Sequence, residues 1–268
     1  MTASPDSYAH CEALLRDGDK DRWLATMFAP AEKRPYLHAL YAFNLEVSRI
    51  AGQVTQPLLG EMRLQFWTDL LNGGGGEQNP VAEALLDTLD VCRLHREVLL
   101  ELLEARLFDL YDEPHPDLEA LDHYCDLTCG ALFRLAGQIL DPSAPGLAAA
   151  PAGRAYALTG LMRALPWLAA EHKSLVPADV AARHGVRGLQ NSPALRAALE
   201  ELRAHARENL GKTRAALERT PAAERPAYRA LALPKLYLAQ MDDAADPLAP
   251  LPEIAQWRRQ WALLRAKV

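Results

Sequence analysis

The chain has 268 residues, half of them hydrophobic and 24% charged, and 29 Lys+Arg against 35 Asp+Glu give a formal charge of −6. That much apolar material excludes a disordered chain, and 15 Gly and 19 Pro without a period exclude a collagen-like one. The mild acidity excludes a general nucleic-acid binder, which carries a basic footprint.

In chain order almost everything reads as helix, because Ala, Leu, Glu and Arg dominate and β-branched residues are scarce. A first helix runs from about Tyr8 to Leu15 and breaks at Asp17-Gly18-Asp19. Pro30 opens a long segment to Ile50, with Pro35 tolerable near its first turn. Pro57 opens the next, through Trp67 to Leu71, and Gly73–Gly76 ends it as a connector, with neither the preceding strand nor the Lys-Ser/Thr of a phosphate loop. Pro80 to Leu89, Leu94 to Tyr111 and Leu118 to Leu140 follow, the last closed by a Pro/Ala/Gly connector at 142–151. Arg154 to Ala170 is nearly all apolar, as suits a central buried helix. After a loop around Pro177 come Pro193 to Leu217, Pro221 to Met241 and a last helix from Pro252. Short linkers and the lack of any 20–50-residue repeat predict one all-α domain over residues 1–268.

The residues that could carry chemistry are few. Cys125, Cys129 and His123 share a short segment, but zinc spacing is lacking, and the four cysteines, with Cys11 and Cys92, read as packed thiols. Asp242-Asp243-Ala244-Ala245-Asp246 could hold Mg²⁺ on a diphosphate, but Pro247 follows at once and a solvated helix end is the better reading. Glu104 and Asp109 lie roughly 140° apart around a helix, so ion pairs with partners such as Arg106 or Arg134 are expected of them. A hydrolase triad lacks its elbow, and His172 and His184, flanking the Pro177 loop, decide nothing alone. Residues 252–268 hold four basic side chains and one acid, with Trp257, Trp261 and Leu264 on one face. Two readings fit: an interfacial helix docking through Trp257, Arg258 and Trp261, or a helix packing its tryptophans onto the body, which is favoured. The start, Met1 to Ser7, is polar, and no apolar run approaches the roughly 18 residues a span needs, which predicts a soluble chain in a reducing cytoplasm.

From about residue 20 to 240 the chain resembles squalene and phytoene synthases. The resemblance lies in Phe28-Ala29-Pro30, Arg34, Ala39-Leu40-Tyr41-Ala42-Phe43, Arg63-Leu64-Gln65-Phe66-Trp67, Asn79-Pro80-Val81 and Glu104–Leu110. It continues in Tyr124-Cys125 to Gly130, Gly160–Pro166, Leu175-Val176-Pro177 and Leu236-Tyr237-Leu238. Each piece is short, and their order and spacing carry the specificity. The resemblance implies an all-α isoprenoid-synthase-like bundle of helices around a central cavity. In active members aspartates on two facing helices bind Mg²⁺ and so hold two prenyl diphosphates. Here the first motif's positions read Leu45, Ser48, Arg49 and Gly52, the second's Gly160, Ala164 and Leu168, and a family Tyr is Asp126. Glu46 lies about 200° from Ser48 around the helix and does not replace it.

These departures, with Asn44-Leu45-Glu46, Met62–Trp67 and Trp257-Arg258, resemble the branch of that superfamily that serves respiratory complex I assembly. The branch implies a non-catalytic role, with complex I subunits or a membrane surface as partners, and a cytoplasmic chain or one peripheral on the inner membrane. An isoprenoid or anionic lipid is the expected cavity ligand, and no metal or other cofactor is expected. Arg34, Tyr41, Arg49, Arg163, Lys173 and Tyr237 are its candidate lining, and Arg49, Arg163 and Lys173 could form a metal-free basic pocket, unless they pair with acids such as Glu46 or Glu171. One alternative is a head-to-head prenyltransferase with Mg²⁺ on unfamiliar ligands such as Glu104, Asp109 or Asp126. Another is a lipid- or isoprenoid-binding protein.

Overall fold

The computed structural model describes residues 3–75, 78–171 and 173–266; His172, Gly76 and Lys267 lie outside them. Every element among the described residues is helical. The order is α1 (Pro5–Gly18), α2 (Lys20–Thr26), α3 (Arg34–Arg49), α4 (Pro57–Leu71), α5 (Pro80–Val91), α6 (Arg96–Arg106), α7 (Leu118–Cys125) and α8 (Ala131–Leu140). Then come α9 (Ala149–Ala170), α10 (Ala178–His184), α11 (Pro193–Leu217), α12 (Pro234–Asp242) and α13 (Gln256–Arg265).

Local chemistry sets many of these starts. Ser4, Asp19, Asn79, Asp117 and Ser192 each accept a hydrogen bond from a backbone N–H of the first turn they cap. Proline occupies the first turn of α1, α3, α4, α5, α11 and α12, where its missing N–H costs nothing. Asp19 both ends α1 and caps α2, so the break expected at 17–19 is a corner between two helices.

Several expected elements differ, and α9 begins at Ala149, inside the connector expected at 142–151. Leu118–Leu140 divides at a π turn, Asp126–Gly130, between α7 and α8. Leu94–Tyr111 becomes α6 and a 3₁₀ turn, Leu107–Leu110. Pro221–Met241 becomes a 3₁₀ segment, Arg225–Ala232, and α12, with Pro226 and Pro234 each starting a piece. The stretch after Pro177 holds α10, which ends at Gly185 in the left-handed region.

Two apolar clusters form the interior. One joins α1, α3, α5, α6 and α8 around Leu15, Leu40, Phe43, Leu85 and Leu99; the other joins α9, α11 and α12 around Leu158, Leu165, Leu199 and Leu202. Trp23, Tyr156 and Leu210 pack against both. The long α9 crosses the π turn at closest range through Gly153, where a Cβ would stand 2.3 Å from the Gly130 nitrogen. Only a glycine permits that approach, and it fixes the wall that α9 gives to the cavity described next.

Candidate functional site

A cavity of about 1050 Å³ opens between the end of α3, the 3₁₀ turn after α6, α7 and the second half of α9. Ser48 and Gly52 line it from one side, Ala164 and Leu168 from the facing helix. Of the five positions where the family resemblance expects metal-binding aspartates, these four converge while Arg49 lies outside the lining, and none of the five is a carboxylate.

Its polar floor is a closed triad. Arg106 Nη1 donates to Asp109 Oδ2 at 2.9 Å and to Tyr124 Oη at 2.7 Å, and Tyr124 Oη donates to Asp109 Oδ1 at 2.7 Å. Burial, and after it the Asp109 carboxylate, push the Tyr124 phenol well above its ordinary 10.0, with Arg106 working the other way. Phe108 and His115 stack at 4.0 Å between ring centroids, with Tyr124 5.2 Å from His115, so one wall is aromatic. Burial lowers the His115 imidazole below its ordinary 6.5, with Asp109 opposing. Lys173 Nζ donates to the Asp109 carbonyl at 3.2 Å and lies 3.6 Å from Asp112 Oδ1.

The cavity's charged lining is Asp109, Asp112, Glu113 and Glu171 against Arg106 and Lys173. This corrects the expected basic pocket: of its three cations only Lys173 lines the cavity. Arg49 is exposed, and its guanidinium lies 3.4 Å from the Gly18 carbonyl. Arg163 turns to the other side of α9, 3.6 Å from Asp21 and stacked 3.7 Å over the Tyr237 ring. Tyr237 donates to Asp21, so it too leaves the cavity. Arg34 donates to the Ala29 and Met27 carbonyls at 2.9 Å each and ties down the turn before α3. Tyr41 is buried against Arg22, whose guanidinium sits between the Tyr41 and Tyr156 rings and bonds Asp19 at 2.7 Å. Burial pushes the Tyr41 phenol up to about 12.

The alternative metal ligands do not meet. Glu104 is exposed, Asp126 is clamped by Arg154 at 2.8 and 2.6 Å away from the cavity lining, and Asp109 belongs to the triad. Asp242 pairs with Arg203 at 3.2 Å, in keeping with a solvated helix end. Among the described residues no group of three or more His, Cys, Asp or Glu is placed to hold a metal ion, so the donor set does not fit Mg²⁺. Cys125 and Cys129 are buried free thiols.

Sequence reasoning gave Asp21 and Arg22 no role in the site. It named Arg106 as an ion-pair partner for Asp109, and the three-residue spacing on a helix is the signal that finds that pair. Helix α13 corrects another reading: Trp257 and Trp261 are 67% and 51% exposed, so they do not pack onto the body, while Arg259 and Leu263 face inward. The helix begins at Gln256 rather than Pro252. Among the described residues no helix is long and apolar enough to cross a membrane.

A cavity enclosed by helices, with two facing helices supplying its opposite walls, defines the isoprenoid-synthase class of fold. In keeping with it, residues 15–265 match the model of the squalene/phytoene synthase family, and the chain belongs to that family. The crystal structure of a dehydrosqualene synthase superposes with a TM-score of 0.79 at 18% identity, covering 97% of this chain and 94% of that one. NADH dehydrogenase (ubiquinone) complex I, assembly factor 6, of Mus musculus is 29% identical over 188 residues, 68% of this chain and 56% of that protein. The 15-cis-phytoene synthase of Synechocystis sp. is 23% identical over 137 residues, covering 50% of this chain and 41% of that one. The chain thus spans little more than half the length of the Mus musculus and Homo sapiens assembly-factor relatives.

Proposed function

We propose that this protein is a non-catalytic member of its family that serves respiratory complex I assembly at a membrane surface, by binding rather than by turnover. The observation that carries the reading is the cavity wall, where Ser48, Gly52, Ala164 and Leu168 bring no carboxylate. A hard divalent cation needs oxygen ligands, and a departing diphosphate without that charge stabilisation loses what is usually the largest catalytic contribution. Asp109 does not substitute, because Arg106 and Tyr124 already engage both its oxygens. The similarity to relatives that carry the assembly-factor name supports the direction of the proposal.

Titration calorimetry with a non-hydrolysable farnesyl diphosphate analogue, first with Mg²⁺ and then with chelator, tests the catalytic half. The expected heats are the same in both; binding that requires Mg²⁺ overturns the proposal and restores the synthase reading. Deleting the gene in its own host tests the other half, and the expected result is less assembled complex I on native gels. A second reading, an apolar ligand of isoprenoid or lipid type in the cavity, draws support from the Phe108, His115 and Tyr124 wall.

A further inference from the structure

Two features of the C-terminal third serve neither the cavity nor the core. The first is the outward face of α13. Its inner face is fixed, since Leu263 is buried and Arg259 Nη1 donates to Asp21 Oδ1 at 3.1 Å. Outward, Trp257, Trp261 and Leu264 recur at i, i+4 and i+7 as one apolar stripe, and Leu264 is 61% exposed. The Arg265 guanidinium lies 4.4 Å from the Trp261 ring centroid. Two indoles held in water on one helix face form a patch that marks an interaction site.

The second is a groove beside that helix, about 1750 Å³ in volume, bounded by α11, the 3₁₀ segment Arg225–Ala232, α12 and α13. Its charged lining is Arg214, Arg225, Lys235 and Arg265 against a single acid, Glu218. The ion pairs of α11 are made by Arg203, Arg207 and Lys212 instead, and none of the groove's four cations forms one among the described residues. Burial, and after it the charge of Arg214, hold the Lys235 amine below its ordinary 10.5, so the groove keeps like charges together. A neighbouring hollow extends it through Arg207. In a chain of net charge −6, such unneutralised clustering calls for an anion. Arg265 belongs to both features, lining the groove and stacking on Trp261.

We propose that α13 and this groove form one docking face for an anionic phospholipid bilayer. Trp257, Trp261 and Leu264 enter the boundary between headgroups and acyl chains, while Arg214, Arg225, Lys235 and Arg265 take lipid phosphates. A free phosphate ion would leave the indoles without a partner, whereas an anionic bilayer satisfies indole and cation together. The proposal deepens the membrane part of the function proposed above and does not depend on the complex I part.

Co-sedimentation with phosphatidylcholine vesicles, with and without phosphatidylglycerol, tests it on the full chain. The expected result is binding to the anionic vesicles that weakens as salt rises, and little binding to the neutral ones. Arg214→Gln with Lys235→Gln is expected to weaken binding about 30-fold, from the known contribution of each basic residue near an anionic leaflet. Trp257→Ala with Trp261→Ala is expected to weaken it at least about tenfold. All four side chains face solvent, so the variants should keep the wild-type melting curve. Equal binding to neutral vesicles, either double variant binding as tightly as the wild type, or release by millimolar inorganic phosphate would overturn the proposal. Loss of vesicle binding in the variants with complex I assembly intact would leave this docking face standing and show that assembly does not require it, whereas intact complex I after deletion of the gene would overturn the complex I reading and leave this face untouched.

Discussion

The cavity and the groove beside α13 are both lined by charged side chains, yet they dispose of charge in opposite ways. In the cavity, Arg106, Tyr124 and Asp109 satisfy one another, and Lys173 is held by the Asp109 carbonyl close to Asp112. A ligand reaching the cavity floor meets groups that already have partners, with Glu113 and Glu171 the lining acids outside that network. In the groove, four cations share one acid and line a wet surface. Paired charges hold a wall in shape, while unpaired ones store attraction for something outside the molecule. On the docking proposal, anions are recognised at this outer face and not in the cavity.

The strongest way to break the comparison is to cut what fastens α13 to the body. Asp21 receives Arg259 at 3.1 Å, Arg163 at 3.6 Å and the Tyr237 hydroxyl, and both Asp21 and Arg259 are 9% exposed in their side chains. Asp21→Ala would leave the buried Arg259 charge with only the exposed Glu253 at 3.1 Å, and the expected loss is about 3 kcal/mol in the denaturant unfolding free energy. A loss below about 1 kcal/mol would mean that water replaces the carboxylate and that the latch is not structural. Next in size is Asp109→Ala, which leaves Arg106, 13% exposed, with only the Tyr124 hydroxyl. About 2–3 kcal/mol is expected there, less than for Asp21 because Asp109 is itself 24% exposed. Tyr124→Phe keeps the ion pair and removes two hydrogen bonds, so about 1 kcal/mol is expected in the same measurement.

How far the residues could be read in advance follows from the helix itself. The facing walls were legible: Ser48 with Gly52, and Ala164 with Leu168, are each four apart, so each pair shares a face, and both pairs do meet in the cavity. Arg49 and Arg163 misled for the same reason inverted. Each is one residue from a true lining position, and one residue turns a side chain roughly 100° around the helix, towards Gly18 in one case and Asp21 in the other. Asp21 and Arg259 are 238 residues apart, and no local pattern announces a pair that only the tertiary fold brings together. The tryptophans were ambiguous because periodicity fixes which residues share a face, not which face turns inward. Arg259 alternates with them on the inner side, a basic residue whose burial makes sense only once Asp21 is known.

The cavity also has a pH signature, carried by a histidine where the groove's shifted group is a lysine amine. Burial holds His115 below 6.5, so the unfolded chain takes up this proton first, and the stability tied to the neutral ring is present above that value. It falls as the pH drops from there towards the folded value. His38, buried with its Nε2 unpartnered among the described residues, shifts in the same direction for the same cause. Melting curves between about pH 7.5 and about pH 5.5 should therefore slope downward with acid. His115→Phe, which keeps an aromatic ring against Phe108, should flatten that slope in part, and an unchanged slope would place the whole effect elsewhere.

The smallest expected effect sharpens the comparison most. If the groove's cations have no role in holding the fold, their removal should cost nothing, unlike any cut in the cavity triad. Arg214→Gln removes a like charge that, after burial, depresses the Lys235 amine. The melting free energy at neutral pH should then stay within about 0.5 kcal/mol of the wild type, with any change in the stabilising direction. The Lys235 amine should titrate closer to its ordinary 10.5 in the variant, as followed by NMR of its side chain. A loss above about 1 kcal/mol would show that Arg214 has a structural partner, and the groove would then resemble the cavity in spending its charges on the fold.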